Sequence, residues 1–140
     1  MSKKINLLIT LLLAVAVLNF FSCKKSDPVT DNSGAPTLSI TSPAQGAVLD
    51  SVVHITGVAQ APSTDDAHLL HELSLTVKKA SDNTIVWTSI ISVHDDYTYN
   101  IDTSLIIPRA GVSVNYVLNA QVVNHIIKYG TQNVNFTINP

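Results

Sequence analysis

Short runs of alternating apolar and polar residues fill the chain from position 37 to position 140. They are separated by clusters of Pro, Gly, Asn and Asp at the spacing typical of a sandwich or barrel. The clearest run places apolar residues and one histidine on one face of a strand, with polar residues between them: His71, Leu73, Leu75 and Val77 against Glu72, Ser74 and Thr76. The pattern predicts an all-β domain of about seven antiparallel strands.

Other runs of the same kind give the remaining strands. One places Val53, Ile55, Gly57 and Ala59 on one face. A turn at residues 81–83 is expected to lead into a strand over residues 85–93, where Trp87 is a large apolar residue. The last hairpin has Tyr116, Leu118, Ala120 and Val122 in phase, a turn predicted at Tyr129-Gly130, and then Val134, Phe136 and Ile138.

The first 22 residues follow a different pattern. Lys3 and Lys4 precede an apolar stretch over residues 5–21, which is shorter than the roughly 20 residues that span a bilayer. Such a stretch is typical of a cleavable export signal. Ser22-Cys23 follows directly and resembles the lipobox of bacterial lipoproteins, which implies cleavage after Ser22 and lipidation of Cys23. The alternative is an uncleaved membrane anchor, and either interpretation places the rest of the chain outside the cytoplasm.

These patterns divide the chain into three parts. Residues 1–22 are the predicted lipoprotein signal peptide, residues 23–36 a lipidated cysteine and a short disordered tether poor in apolar side chains, and residues 37–140 the β domain. The formal charge of −2 becomes about −4 when Lys3 and Lys4 are removed with the signal. The remaining basic residues are scattered, which argues against a nucleic-acid partner.

The last hairpin resembles that of bacterial Ig-like, cadherin-like and fibronectin-like domains, which often have the pattern Tyr-x-Leu-x-Ala-x-Ala-x-Asp. Tyr116 corresponds to the tyrosine of the tyrosine corner, and Asn124 stands where many such domains have Asp. The resemblance implies an Ig-like β-sandwich. Together with the signal, the chain is similar to the small Ig-like lipoproteins of Bacteroidota. That implies a cell-envelope protein at the outer membrane, facing the periplasm or the outside.

Five histidines in a chain with few charged residues are the main sign of chemistry. If a hairpin turns near Asp82, His71 and His94 come together at its open end, and the topology brings His125 to the same end. Three converging imidazoles would suit Cu or Zn. A fourth ligand could come from His68 or Asp95.

The hairpin register decides whether His94 takes part, and the sequence allows two registers. In one, His94 pairs with His71 and both side chains lie on one face. In the other, Val93 pairs with His71, and the apolar pairs Leu73 with Ile91 and Val77 with Trp87 are at least as favourable.

Other functions are weighed against this metal site. The pairs Asp65-Asp66 and Asp95-Asp96 could bind calcium, but neither lies in a dense ligand loop. No nucleophile–base motif or phosphate-binding loop is present, so we expect no enzyme. The alternative to metal binding is a structural or adhesive module that binds a glycan or protein through Tyr129, while His54 is expected to be an ordinary surface residue.

Overall fold

A computed structural model describes residues 34–140. The predicted signal peptide, Cys23 and the tether as far as residue 33 lie outside the described residues. Eight strands are present in this part of the chain: β1 (Thr37–Ser42), β2 (Ala47–Leu49), β3 (Val52–Gln60), β4 (Leu70–Lys79), β5 (Ile85–Ser92), β6 (Thr98–Ile106), β7 (Val114–Asn124) and β8 (Tyr129–Ile138). The prediction of an all-β domain is confirmed.

The strands form two sheets, one with the order β1-β3-β6 and the other with the order β2-β8-β7-β4-β5. All pairs are antiparallel except β2 with β8, which is parallel. The prediction of antiparallel strands throughout is therefore wrong for β2. A parallel pair needs a long connection, and nearly the whole domain lies between these two strands.

The inward faces of the two sheets supply one apolar core. The alternation predicted for β3 is confirmed, because Val53, Ile55 and Ala59 are buried while His54 is exposed. The core also contains Tyr116, whose ring stacks on Phe136 with ring centroids 5.7 Å apart. Burial of these side chains on both sheets stabilises the pairing of the layers at roughly 25 cal/mol per Å² of apolar surface.

The turn predicted at Tyr129-Gly130 is wrong. The β7–β8 connection lies over residues 125–128, and Tyr129 and Gly130 are the first residues of β8. Gly130 is required for a different reason: a Cβ there would collide with the Pro36 carbonyl oxygen, so the glycine allows the incoming chain to cross β8 closely. The left-handed backbone position of this connection falls at Ile127, where φ is +60°.

Candidate metal centre

His71, His94 and His125 lie at one end of the second sheet. His71 is the second residue of strand β4, His94 follows β5, and His125 follows β7. A bulge in β4 positions His71: Leu70 pairs with Asn124 and Glu72 pairs with Val123, so His71 has no partner on β7. Because the extra residue shifts the alternation, Leu70 and Leu73 are both buried while His71 is exposed. The predicted common face of His71 and Leu73 is therefore wrong.

The β4–β5 hairpin adopts the second of the two registers, with Leu73 opposite Ile91 and Val77 opposite Trp87. Val93 is buried and its N–H donates to the His71 carbonyl oxygen at 3.3 Å. His94 nevertheless reaches His71, because β5 ends at Ser92 and the chain turns over residues 93–96. Regular strands in this register would place the side chains of His71 and His94 on opposite faces. The turn and the bulge together bring the two side chains to the same place.

Backbone hydrogen bonds fix the loops that carry the other two histidines. Asp95 has a φ of +66°. Its N–H donates to the Leu70 carbonyl oxygen at 3.0 Å, and the Leu70 N–H donates to the Asp96 carbonyl oxygen at 2.9 Å. A left-handed conformation is tolerated by Asp better than by most residues. The His125 N–H donates to the Leu69 carbonyl oxygen at 3.3 Å. Both loops are therefore attached to the start of β4.

The three imidazole rings converge through their nitrogen atoms. His94 Nδ1 lies 3.0 Å from His71 Nδ1 and 3.1 Å from His125 Nε2. One nitrogen from each ring can be chosen so that all three lie within 4.8 Å of one another. Two Zn–N bonds of about 2.0–2.1 Å at a tetrahedral angle place nitrogens about 3.3 Å apart, which is close to the distances of His94 Nδ1 from the other two nitrogens.

Hydrogen bonds between the rings cannot account for both of the nitrogens that approach His94 Nδ1. A neutral imidazole nitrogen carries either one N–H or one lone pair. His94 Nδ1 can therefore make one well-directed hydrogen bond, although two nitrogens approach it. A cation between the rings would accept all three lone pairs at once. The donor set of three neutral imidazoles suits zinc and copper.

The two predicted fourth ligands have different positions. His68 Nδ1 lies 2.9 Å from Asp65 Oδ2, and His68 packs beside Gly34, outside the group of three histidines. Asp95 is close to the group: its Oδ1 lies 3.5 Å from His125 Nε2, and its Oδ2 lies 3.8 Å from His94 Nε2. Its closer approach is to His125 Nε2, which is one of the converging nitrogens, so Asp95 lies where a fourth ligand is expected.

The remaining predicted positions lie elsewhere or serve other contacts. His54 is on β3 in the other sheet, where its Nδ1 lies 2.8 Å from the hydroxyl oxygen of Ser104. Across residues 34–140, the three histidines are the one group of His, Cys, Asp or Glu side chains spaced to hold an ion. The calcium alternative at the acidic pairs thus gains no further ligands. No helix in this described part of the chain has the length and apolar character needed to cross a bilayer.

Tyr129 lies closer to the histidines than the sequence indicated. It is half exposed at the start of β8 and lines the same open depression as His71, His94 and His125, whose volume is about 480 Å³. Val123, Asn124 and Ile127 complete the lining. The sequence pattern does not single out these three residues as site residues. The change from strand to turn at Asn124 was the available signal, since Asn is common at such positions.

No protein-family model matches the sequence, and no curated protein is similar to it at a significant level. The site is therefore interpreted from its own geometry.

Proposed function

We propose that the domain binds a transition metal ion, Zn or Cu, through His71, His94 and His125. The observation that carries this proposal is the convergence of three imidazole nitrogens, with two N···N distances of 3.0 and 3.1 Å. Imidazole is the commonest metal ligand in proteins. Asp95 is a neighbouring carboxylate of the ion, or its fourth ligand when Oδ1, which lies 3.5 Å from His125 Nε2, moves toward the ion.

The protein as a whole is proposed to be a lipid-anchored, non-catalytic lipoprotein of the cell envelope. The export signal and Ser22-Cys23 support the anchor. An Ig-like arrangement is supported by the strand order, because β1-β3-β6 facing β8-β7-β4 corresponds to the two layers of Ig-like sandwiches. Modules of this architecture have many functions, so the metal centre and not the fold carries the functional proposal.

Metal titration of the purified full chain tests the proposal. The Cys23→Ala background is used without a histidine tag, so that neither a free thiol nor a tag contributes ligands. We expect one Zn or Cu ion per chain. Free metal at 100 times its Kd should add about 2.7 kcal/mol to the free energy of unfolding, which raises Tm by several degrees.

Variants assign the ligands. His71→Ala, His94→Ala and His125→Ala should each reduce affinity by more than the roughly 10–100-fold caused by loss of an outer partner, and Asp95→Asn should fall within that range. His54→Ala is the matched control, because His54 is exposed on the other sheet, and it should bind as the parent does. Unchanged affinity in the three histidine variants would eliminate the site.

A second function has one observation in its favour. Tyr129 is 50% exposed beside the histidines, and an aromatic ring in this position can stack on a sugar or a peptide side chain. A glycan or protein partner that binds without metal would be affected by Tyr129→Ala and unaffected by the three histidine variants. The same variants therefore separate the two functions.

A further inference from the structure

One wall of the depression beside the three histidines is apolar. Val123, Ile127 and Tyr129 line it together with the imidazole rings. Ile127 is 68% exposed and Tyr129 is 50% exposed. Ligand sites commonly combine a mostly apolar lining with a few polar groups that fix orientation. The ion proposed above would be such a group.

Ile127 is held in an unfavourable backbone conformation. Its φ is +60°, in the left-handed region that a β-branched residue rarely adopts. The connection is closed around it by the Ile127 N–H, which donates to the Asn124 carbonyl oxygen at 3.0 Å, and by the Lys128 N–H, which donates to Asn124 Oδ1 at 2.9 Å. Turns of this kind usually place Gly or Asn at the left-handed position. An isoleucine here costs stability and exposes an apolar side chain.

Strained residues of this sort cluster where a binding surface requires them. The strain at Ile127 and the exposure of Tyr129 are independent features of two neighbouring positions that face one depression. Glycine at position 127 would remove the strain, and a polar residue at position 129 would remove the exposed aromatic ring. Their joint presence beside the histidines indicates an apolar contact surface for a bound ligand.

The proposed ions select the donor atom of that ligand. Three imidazoles supply three positions of a four-coordinate ion, and an added donor takes the fourth in place of Asp95, whose carboxylate oxygens lie 3.5 Å from His125 Nε2 and 3.8 Å from His94 Nε2. Zn and Cu, which suit imidazole ligands, accept a neutral heteroaromatic nitrogen of the same kind. An aromatic body attached to that nitrogen would fit against the apolar wall.

We infer that the metal-loaded site binds a ligand that coordinates the ion through a neutral heteroaromatic nitrogen and packs its aromatic body on Ile127 and Tyr129. The inference rests on the metal binding proposed above. It names the class of ligand for the same site and the two residues that select it.

Substitution with Co²⁺ gives a visible spectrum that reports on ligand binding at the ion. The Co²⁺-loaded full chain in the Cys23→Ala background is titrated with imidazole and with 4-phenylimidazole. Partial burial of the phenyl ring should make 4-phenylimidazole bind at least about tenfold more tightly. The ratio of the two affinities, compared between variants, separates contact with the wall from the different basicities of the two probes.

Two variants remove the wall. Ile127→Gly relieves the left-handed strain, so we expect Tm to rise or stay equal and Co²⁺ to remain bound. The affinity ratio of 4-phenylimidazole to imidazole should fall to a small fraction of the parent's ratio. Tyr129→Ala should reduce the same preference. Ile126→Ala is the matched control, because Ile126 is an exposed neighbour that does not line the depression. It should keep the preference.

The outcomes are distinguishable. If Co²⁺ binds and the affinity ratio is the same in the parent, Ile127→Gly and Tyr129→Ala, the ligand class is wrong while the metal site stands. If neither Co²⁺ nor Zn²⁺ binds the parent chain, the metal function is wrong and the inference falls with it. A lower Tm in Ile127→Gly would contradict the assignment of strain to that residue.

Discussion

Asn124 shows how a single side chain can hold the loop that carries a ligand. It is buried at the end of β7, and its amide uses both of its functions. Nδ2 donates to the Gly34 carbonyl oxygen at 2.8 Å, and Oδ1 accepts from the Lys128 N–H at 2.9 Å. Asp could accept the second bond but could not make the first. Asn and not Asp is therefore required at this position by a donor contact.

Asn124→Asp should lower the free energy of unfolding by about 1–3 kcal/mol, because the half-buried Gly34 carbonyl loses its donor and faces a carboxylate instead. Urea denaturation at neutral pH measures the change. Asn119→Asp is the matched control: its Nδ2 donates to Asn133 Oδ1 at 2.7 Å, but on an exposed surface. Its effect should be within about 0.5 kcal/mol. Equal losses in both variants would contradict a special role for Asn124.

The β4–β5 hairpin is the element that brings His71 and His94 together, and its turn depends on local polar contacts. Asp82 Oδ1 accepts the Thr84 N–H at 2.9 Å, and Asn83 adopts a left-handed conformation with φ +59°. The hydrogen bond from the Thr84 backbone holds the pKa of the Asp82 carboxyl below its ordinary value, with the Thr84 hydroxyl acting in the same direction. The ionised form of Asp82 is thus favoured in the folded hairpin.

A lowered pKa in the folded state means that the stabilisation by Asp82 is fully present above the ordinary Asp pKa of about 3.9 and is lost as the pH falls through the lower value. Asp82→Asn keeps the acceptor for Thr84 but does not titrate. The difference in unfolding free energy between the parent and this variant should be constant above about pH 5 and should shrink below about pH 4. Chemical denaturation across this range measures it, and a difference independent of pH would contradict the assignment.

At the scale of the whole molecule, the N-terminal segment joins the domain at the end that carries the histidines. Gly34 lies against His68 and Ile126, and its carbonyl oxygen accepts from Asn124. Cys23 precedes Gly34 by 11 residues, which reach at most about 40 Å. If Cys23 carries the lipid, as proposed, Gly34 therefore lies within that distance of the membrane surface.

Cys23→Ala tests the anchor directly. Cells expressing the parent should incorporate radiolabelled palmitate into the chain and retain it in the membrane fraction, because stable anchoring follows from acylation. The variant should incorporate none and should keep residues 1–22, because lipobox cleavage follows lipidation of the cysteine. A parent chain that keeps residues 1–22 and incorporates no palmitate would show an uncleaved anchor instead. His54→Ala serves as the labelled control.

The sequence determined the features that depend on neighbouring residues. Period-two alternation gives the faces of β3, β7 and β8, because side chains on a strand point to opposite sides in turn. The turn near Asp82 follows from local turn chemistry, and the topology indicates that His71, His94 and His125 lie at one end of the sheet. The predicted face of His71 was wrong because a bulge in β4 interrupts the alternation. The predicted turn at Tyr129-Gly130 was wrong because the glycine serves the close approach of Pro36 to β8.

Only the tertiary structure decided how the histidines meet. In the register that the apolar pairs favour, His94 would point away from His71 in a regular strand. Backbone bonds from the 93–96 turn and from His125 to the start of β4 override this separation. Such bonds join residues distant in sequence, and no local pattern encodes them. The apolar wall of Ile127 and Tyr129 has the same origin, since the β7–β8 connection acquires its shape from Asn124 and from the incoming Gly34.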